Sequence, residues 1–140
     1  MSDWVAITED VVEKGMPTDL ATLHAQWVQA HPEKAARLGE LTEETVGIVR
    51  SAVAANPANV VDADVTKVPM VVFRHALNVI LFNLGMEMGV QFSAEVYSLY
   101  VRSDIWLREV QRGEIPVRAD VRGPKPSYRR RTRCSRWMWG

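Results

Sequence analysis

The stretch that decides the fold is Thr66–Gly89, TKVPMVVFRHALNVILFNLGMEMG. Its apolar residues recur at steps of three and four, which places them on one face of a helix about 20 residues long. Thr66 is suited to cap this helix and Pro69 to occupy its first turn. Polar residues interrupt the run, which argues against a membrane span and for a central buried helix. The apolar residues are Met70, Phe73, Leu77, Ile80, Leu81, Leu84 and Met88, widened by Val71, Val72, Val79 and Phe82.

Shorter helical patterns precede this stretch. Thr8 can cap a helix that Gly15 and Pro17 end, and Thr18 or Asp19 can cap a helix that His31-Pro32 ends. A firmer helix is predicted from an N-cap at Thr42 to a stop at Asn56-Pro57, with Val46, Val49 and Val53 as its buried stripe. No segment alternates with period two for long enough to predict a sheet.

One amphipathic helix is predicted after the central stretch. Ser93 can cap it, Gly89 and Gly113 suit the ends of the two helices, and Asp104 and Arg108 form an i,i+4 pair. Its predicted buried stripe is Val96, Leu99, Tyr100, Ser103, Trp106, Leu107 and Val110. We therefore expect residues 1–117 to form one all-α domain, a small helical bundle around one long buried helix, carrying an extended basic C-terminal tail.

Charge is strongly segregated along the 140 residues. Residues 1–117 contain 9 Lys and Arg against 16 Asp and Glu, a net charge of −7, whereas residues 118–140 contain 8 basic residues against one acid, a net charge of +7. The single cysteine, Cys134, cannot form an internal disulfide, and no secretory signal is visible at the N-terminus. These features predict synthesis in the cytoplasm and an acidic body that carries a basic arm.

The arm, residues 118–140, is predicted to be extended, because Gly123, Pro124 and Pro126 oppose regular structure. We expect it to order on assembly, against an acidic surface of a partner. The expected partner-binding residues are Tyr128, Arg129, Arg130, Arg131, Arg133, Arg136, Trp137 and Trp139.

The sequence contains no pattern typical of catalysis. It has no phosphate-binding glycine loop, no serine elbow and no CxxC, and its acids are scattered over predicted solvent faces. His24 and His31 have no carboxylate or cysteine at metal-ligand spacing, and His75 is interpreted as a core or interface residue. We expect no enzymatic activity, no cofactor and no bound metal.

Part of the sequence resembles the small head–tail connector (adaptor, head-completion) proteins of tailed bacteriophages. The resemblance lies in Lys67-Val68-Pro69, in the apolar helix bearing Arg74 that follows, and in the helix end Trp106–Pro116 (WLREVQRGEIP). The likeness covers residues 42–117. It implies an all-α virion protein, forming a ring, dodecameric in that family, beneath the portal. The resemblance implies that the ring bridges the portal to the tail and lines the DNA channel. The expected partners are the portal protein, neighbouring copies and a tail-side neck protein, with the basic arm docking on the portal or on a neighbouring copy, non-specific contact to DNA in the channel and none to membranes.

Two other classes remain open. A small helical protein could bind nucleic acid through its basic C-terminal tail, in which case its affinity should fall steeply with salt. A peripheral membrane protein could use the same Arg and Trp residues, and it would then bind anionic vesicles.

Overall fold

The computed structural model describes residues 4–113, and this part of the chain is mostly helical, which confirms the all-α character. Five α-helices and one small two-stranded sheet form within this range. Three substantial helices and shorter N-terminal ones were predicted, but no sheet. The elements are β1 (Trp4–Ala6), α1 (Glu9–Gly15), α2 (Thr18–Ala30), α3 (Arg37–Ala54), β2 (Lys67–Pro69), α4 (Phe73–Met88) and α5 (Ala94–Gln111), with short 3-10 turns at Pro32–Lys34 and Met70–Val72.

Helix α4 lies against α1, α2, α3 and α5, and its longest contact is with α5. Eight of its 16 residues are buried, because four other helices pack against it. Burying a Leu or Ile side chain stabilises a fold by about 1.5–3 kcal/mol, so this helix is a large contributor to the core. The buried residues of α4 are Ala76, Leu77, Asn78, Val79, Ile80, Leu81, Leu84 and Gly85.

The prediction that this helix begins near Thr66 is wrong. Lys67–Pro69 is instead a strand, antiparallel to β1, in which Val68 lies opposite Val5 and Pro69 opposite Trp4. The carbonyl of Thr66 accepts a hydrogen bond from Ile7 N (2.9 Å), which ties the segment to a distant part of the chain. The helix therefore starts only at Phe73 and is shorter than α3 and α5, each of 18 residues.

Met70 and Val71 are consequently not on a buried helical face. They lie in the 3-10 turn before α4 and are 53% and 76% exposed. Their spacing matches the helical period, but the extended strand just before them changes the direction in which they point.

Helix α3 begins at Arg37, five residues before the predicted cap, and passes through Gly39. Thr42 is buried inside it, where its hydroxyl donates a hydrogen bond to the Leu38 carbonyl (2.8 Å). Two contacts extend the helix towards its N-terminus: Leu38 is fully buried, and Arg37 pairs with Glu87 of α4 (2.6 Å). This hydrogen-bonded pair raises the pKa of Arg37 and lowers the pKa of Glu87.

Several predicted helix ends are confirmed. The hydroxyls of Thr8 and Ser93 accept hydrogen bonds from the third residue beyond, Val11 N and Val96 N. Gly89 ends α4 in the left-handed region (φ 76°), where a residue with a Cβ would be strained. The start of α2 differs, since Pro17 and not Thr18 or Asp19 occupies its N-cap position.

The predicted stripe of α5 is only partly buried. Tyr100, Ser103, Leu107 and Val110 are buried, while Val96 and Leu99 are 36% and 44% exposed. The buried residues are spaced by three and four, so they form one narrow face. Leu99 lies about 100° away from Tyr100 around the helix, which turns it out of the contact with α4.

No helix within residues 4–113 is long and apolar enough to cross a membrane. The predicted extent of one domain, residues 1–117, and the basic arm reach beyond the described residues, and both stay predictions.

Candidate protein-contact surfaces

The segment between α3 and α4, residues 55–72, is fixed by one arginine in addition to the pairing of β2 with β1. We call it the valine loop. From α3, Arg50 Nη1 donates hydrogen bonds to the carbonyls of Asp64 and Lys67 (2.8 Å each), and Arg50 Nη2 donates to the carbonyl of Asp62 (2.6 Å). The guanidinium also lies over the ring of Trp4, 5.6 Å from its centroid. One side chain therefore fastens the loop to both α3 and β1.

Short polar side chains complete the backbone hydrogen bonds of the loop. Asp62 Oδ1 accepts from Asp64 N (2.8 Å), and Asp64 Oδ1 accepts from the Thr66 amide (3.0 Å) and hydroxyl (2.7 Å). The Thr66 amide, followed by its hydroxyl, lowers the pKa of Asp64, so this carboxylate stays ionised at neutral pH. Such Asx turns give the chain a defined course without a helix or sheet.

Apolar side chains project from this fixed backbone into solvent. Val65 and Val71 are 73% and 76% exposed, and Val60, Val61 and Met70 are between 36% and 53% exposed. Single exposed apolar residues are ordinary, but several on one ordered loop are typical of surfaces that contact another protein. We therefore treat the valine loop as the first candidate contact surface.

A groove of about 700 Å³ runs between α3 and the end of α5. Its floor is formed by small residues four apart, Gly47 and Ser51 on α3 and Ala55 at its C-cap. A Cβ built on Gly47 would meet no atom within 4 Å. Ile48 and Ala52, both partly buried, form an apolar wall. We call this surface the α3–α5 groove.

The charge of the α3–α5 groove is negative. Glu43 and Glu44 line it and are exposed, and among the described residues that line it none is Lys or Arg. At its other edge lie Val110, Gln111 and Gly113, the last residue that the structure describes. The groove therefore combines acid, apolar wall and small residues at the point where the chain continues towards its basic arm.

A third apolar area lies between the start of α2 and the start of α5. Leu23, 43% exposed, and Val96 line a pocket of about 370 Å³ together with Phe92 and Tyr100. The rings of Phe92 and Tyr100 meet edge to face at 5.2 Å, and Phe92 also covers Gly85 so closely that a Cβ there would overlap its ring. This area has the composition of a partner surface, but it carries no charge pattern that selects a partner.

A polar cluster lies inside the α4–α5 contact. Ser103 and Asn78 are buried, and the Asn78 amide donates to Ser103 Oγ (3.1 Å), which lies 3.0 Å from His75 Nδ1. The His75 ring stacks on Trp106, with centroids 4.6 Å apart. Burial lowers the pKa of His75, which favours the neutral ring at pH 7. His75 is half-buried and packs between α4 and α5, which agrees with its interpretation as a core or interface residue.

The other two histidines each lie next to Trp27, with ring centroids 6.2 Å away for His24 and 6.4 Å away for His31. Within residues 4–113 no group of three His, Cys, Asp or Glu side chains could hold a metal ion.

The eight residues predicted to bind a partner, from Tyr128 to Trp139, lie outside the described residues, as does Cys134. Sequence reasoning missed both the valine loop and the α3–α5 groove. Two signals could have pointed to them: the alternating pattern Asp62-x-Asp64-x-Thr66, which is typical of Asx turns, and the small residues that recur every four positions in α3.

No known protein family, curated protein or solved structure matches the chain.

Proposed function

We propose that the protein is a structural subunit of a bacteriophage neck, a head–tail connector that forms a ring under the portal, bridges the portal to the tail and lines the DNA channel. The observation that carries the proposal is the valine loop, on which exposed apolar side chains stand on a backbone that Arg50 and the Asx turns already hold in place. The resemblance of residues 42–117 to connector proteins is the reason for proposing a ring beneath the portal as the assembly.

A loop of this construction favours protein–protein contact. Association costs free energy partly because mobile segments must be ordered, and a loop whose hydrogen bonds are already formed avoids much of that cost. Its Val65 and Val71 side chains are more than 70% exposed, so a partner would remove nearly all of their apolar surface from water. We infer that the loop meets either a neighbouring copy or the portal.

The segregated charge supports assembly from identical copies. Body and arm carry opposite net charges of −7 and +7, so copies attract one another when the arm of one meets the body of the next. In the proposed ring, the partners are the portal protein, neighbouring copies and a tail-side neck protein, and the site of action is the virion. The proposed role is structural and includes no catalysis and no cofactor.

Sedimentation velocity of the full-length protein, alone and mixed with the portal protein of the same genome, tests the proposal. We expect a ring-sized species or a complex with the portal, and we expect the double variant Val65→Ser/Val71→Ser to lose it while keeping the far-UV circular dichroism of the wild type. Ile105→Ser is the matched control, because Ile105 is an apolar residue, 50% exposed, that belongs to α5 and not to the loop.

Two results would overturn this function. One is a wild-type protein that stays monomeric at every concentration and does not bind the portal. The other is a protein whose main interaction is with duplex DNA and whose affinity falls steeply with salt, because the segregated arginines would then act on phosphates.

A further inference from the structure

We infer that the α3–α5 groove of each subunit binds the Arg- and Trp-rich segment, residues 128–139, of a neighbouring copy of this chain. The inference rests on the proposed function, in that it requires copies to assemble, and it names the surface that receives the arm. Three properties of the groove carry it: its shape, its charge and its position relative to the end of α5.

The shape of the groove suits an extended segment with bulky side chains. Its floor, Gly47, Ser51 and Ala55, exposes little side chain, and the position of a Cβ on Gly47 is open space. A volume of about 700 Å³ is in the range of sites that enclose a drug-sized ligand. Ile48 and Ala52 offer apolar area on which a Trp ring can pack.

The charge of the groove complements that of the arm. Glu43 and Glu44 occupy one turn at the start of the groove, and both carboxylates are exposed. Arginine binds carboxylates through two parallel hydrogen bonds, which is stronger and more directional than the contact a lysine makes. Residues 128–139 contain five arginines and two tryptophans, so the segment offers both kinds of contact that the groove accepts.

The position of Gly113 allows the arm to reach the groove of a neighbouring copy. Gly113 lines the edge of the groove, and Tyr128 follows 15 residues later. A chain of that length spans up to about 50 Å when extended, whereas an 18-residue helix such as α3 is about 27 Å long. We expect Pro124 and Pro126 to favour an extended course in this connecting segment, and such a course would bring the arginines within reach of a neighbouring copy.

Cysteine cross-linking in the full-length protein tests the inference, because Cys134 is the only cysteine and lies in the arm. Ser51→Cys places a second thiol on the groove floor, where Ser51 is exposed. We mix a Ser51→Cys/Cys134→Ser chain with wild-type chain and add a short bis-maleimide. We expect a cross-linked species of two chains, at least ten times more abundant than with Ala54→Cys/Cys134→Ser. Ala54 is the matched control, exposed on the same helix but not lining the groove.

Filling the groove gives a second measurement. Gly47→Leu, added to the Ser51→Cys/Cys134→Ser chain, should abolish the cross-link without lowering the melting temperature, because the new side chain meets open space and leucine favours a helix more than glycine does. Ala54→Leu in the same background should leave the cross-link unchanged. Replacing Glu43 and Glu44 with Gln should reduce the cross-link in proportion to the loss of charge.

The outcomes separate this inference from the proposed function. Equal cross-linking of the Ser51→Cys and Ala54→Cys chains, in samples that form rings by sedimentation, would overturn the groove assignment and leave the connector role standing. A chain that carries Ser51→Cys, retains Cys134 and cross-links only within itself at high dilution, with no cross-link between mixed copies, would overturn the neighbouring copy as occupant. A specific cross-link between copies that never bind a portal would support the groove as the binding site of the arm and would contradict the proposed connector function.

Discussion

Helix α4 and the valine loop are similar in apolar content and opposite in exposure. In α4, residues such as Ile80 and Leu84 are fully buried, and the helix satisfies its own backbone hydrogen bonds. In the valine loop, Val65 and Val71 are in solvent, and the backbone depends on a side chain, Arg50, for three of its hydrogen bonds. The two regions differ in which groups form the backbone hydrogen bonds and in whether the apolar side chains are buried.

The difference shows that hydrophobicity alone does not distinguish a core from a contact surface. An apolar segment with a helical period can bury one face against other elements of the same chain. An apolar segment fixed by Asx turns and one arginine has no such face, and its side chains are left for another molecule. Stability measurements and assembly measurements should therefore respond to opposite sets of substitutions.

The largest expected effect is in α4. Leu84→Ala should lower the free energy of unfolding by about 2–5 kcal/mol, because it removes buried apolar contact and leaves a cavity. Urea denaturation monitored by circular dichroism measures the loss. A loss below about 1 kcal/mol would mean that α4 is not central to the core, and the contrast with the loop would disappear.

The second effect is at Arg50. Arg50→Met keeps much of the side-chain length but leaves the carbonyls of Asp62, Asp64 and Lys67 without their donor, which should cost about 1–3 kcal/mol. Limited proteolysis should then cut within residues 55–66 before the helices. Arg102→Met, on the exposed side of α5, is the control and should change neither stability nor cleavage. Unchanged resistance of the Arg50 variant would show that the loop is held by other contacts.

A smaller effect concerns the pH dependence of the α4–α5 contact. Burial lowers the pKa of His75 below its usual value of 6.5, so the folded state binds fewer protons than the unfolded state once the pH falls below that value. The contribution of His75 to the free energy of unfolding should therefore be fully present above pH 6.5. The free energy of unfolding should fall as the pH drops from 6.5 towards the folded-state pKa. Urea midpoints at about pH 7.5 and about pH 5.5, on either side of the usual pKa, measure this change, and His75→Gln should reduce it. A His75 NMR titration with a midpoint above 6.5 would contradict the expected sign.

The smallest effect on stability is expected in the valine loop. Val71→Ser should change the free energy of unfolding by less than about 0.5 kcal/mol, because the side chain is already 76% exposed. The same substitution should weaken assembly, which the concentration dependence of sedimentation measures. If Val71→Ser destabilised the isolated subunit as much as Leu84→Ala, the loop would belong to the core and not to a contact surface.

Local signals predicted the helical class and several helix ends from sequence. Thr8, Ser93 and Gly89 act within one turn of their own positions, so no knowledge of the rest of the fold was needed. The start of α3 was mispredicted at Thr42 because Arg37 gains its support from Glu87, 50 residues away. Lys67–Pro69 was assigned to a helix for the same reason, since its partner strand is near the N-terminus.

The candidate surfaces were harder to predict than the fold. The α3–α5 groove exists only because two helices distant in sequence pack with an open end, and small residues in α3 do not reveal which helix approaches them. The valine loop requires Arg50, and nothing in the sequence around Arg50 indicates that its guanidinium binds three carbonyls. The arm, by contrast, was predicted from composition, and its contacts stay predictions.

The pairing of β1 with β2 has a consequence for the order of folding. The two strands are about 60 residues apart in the chain, so at a synthesis rate of about 5–20 residues per second β1 waits for about 3–12 s before its partner is made. Helices form from local contacts and can appear early, whereas a non-local strand pair forms late. Because β2 lies within the valine loop, pairing of the two strands also completes this contact surface. A chain that is still being synthesised and lacks β2 therefore does not yet present the loop to a partner.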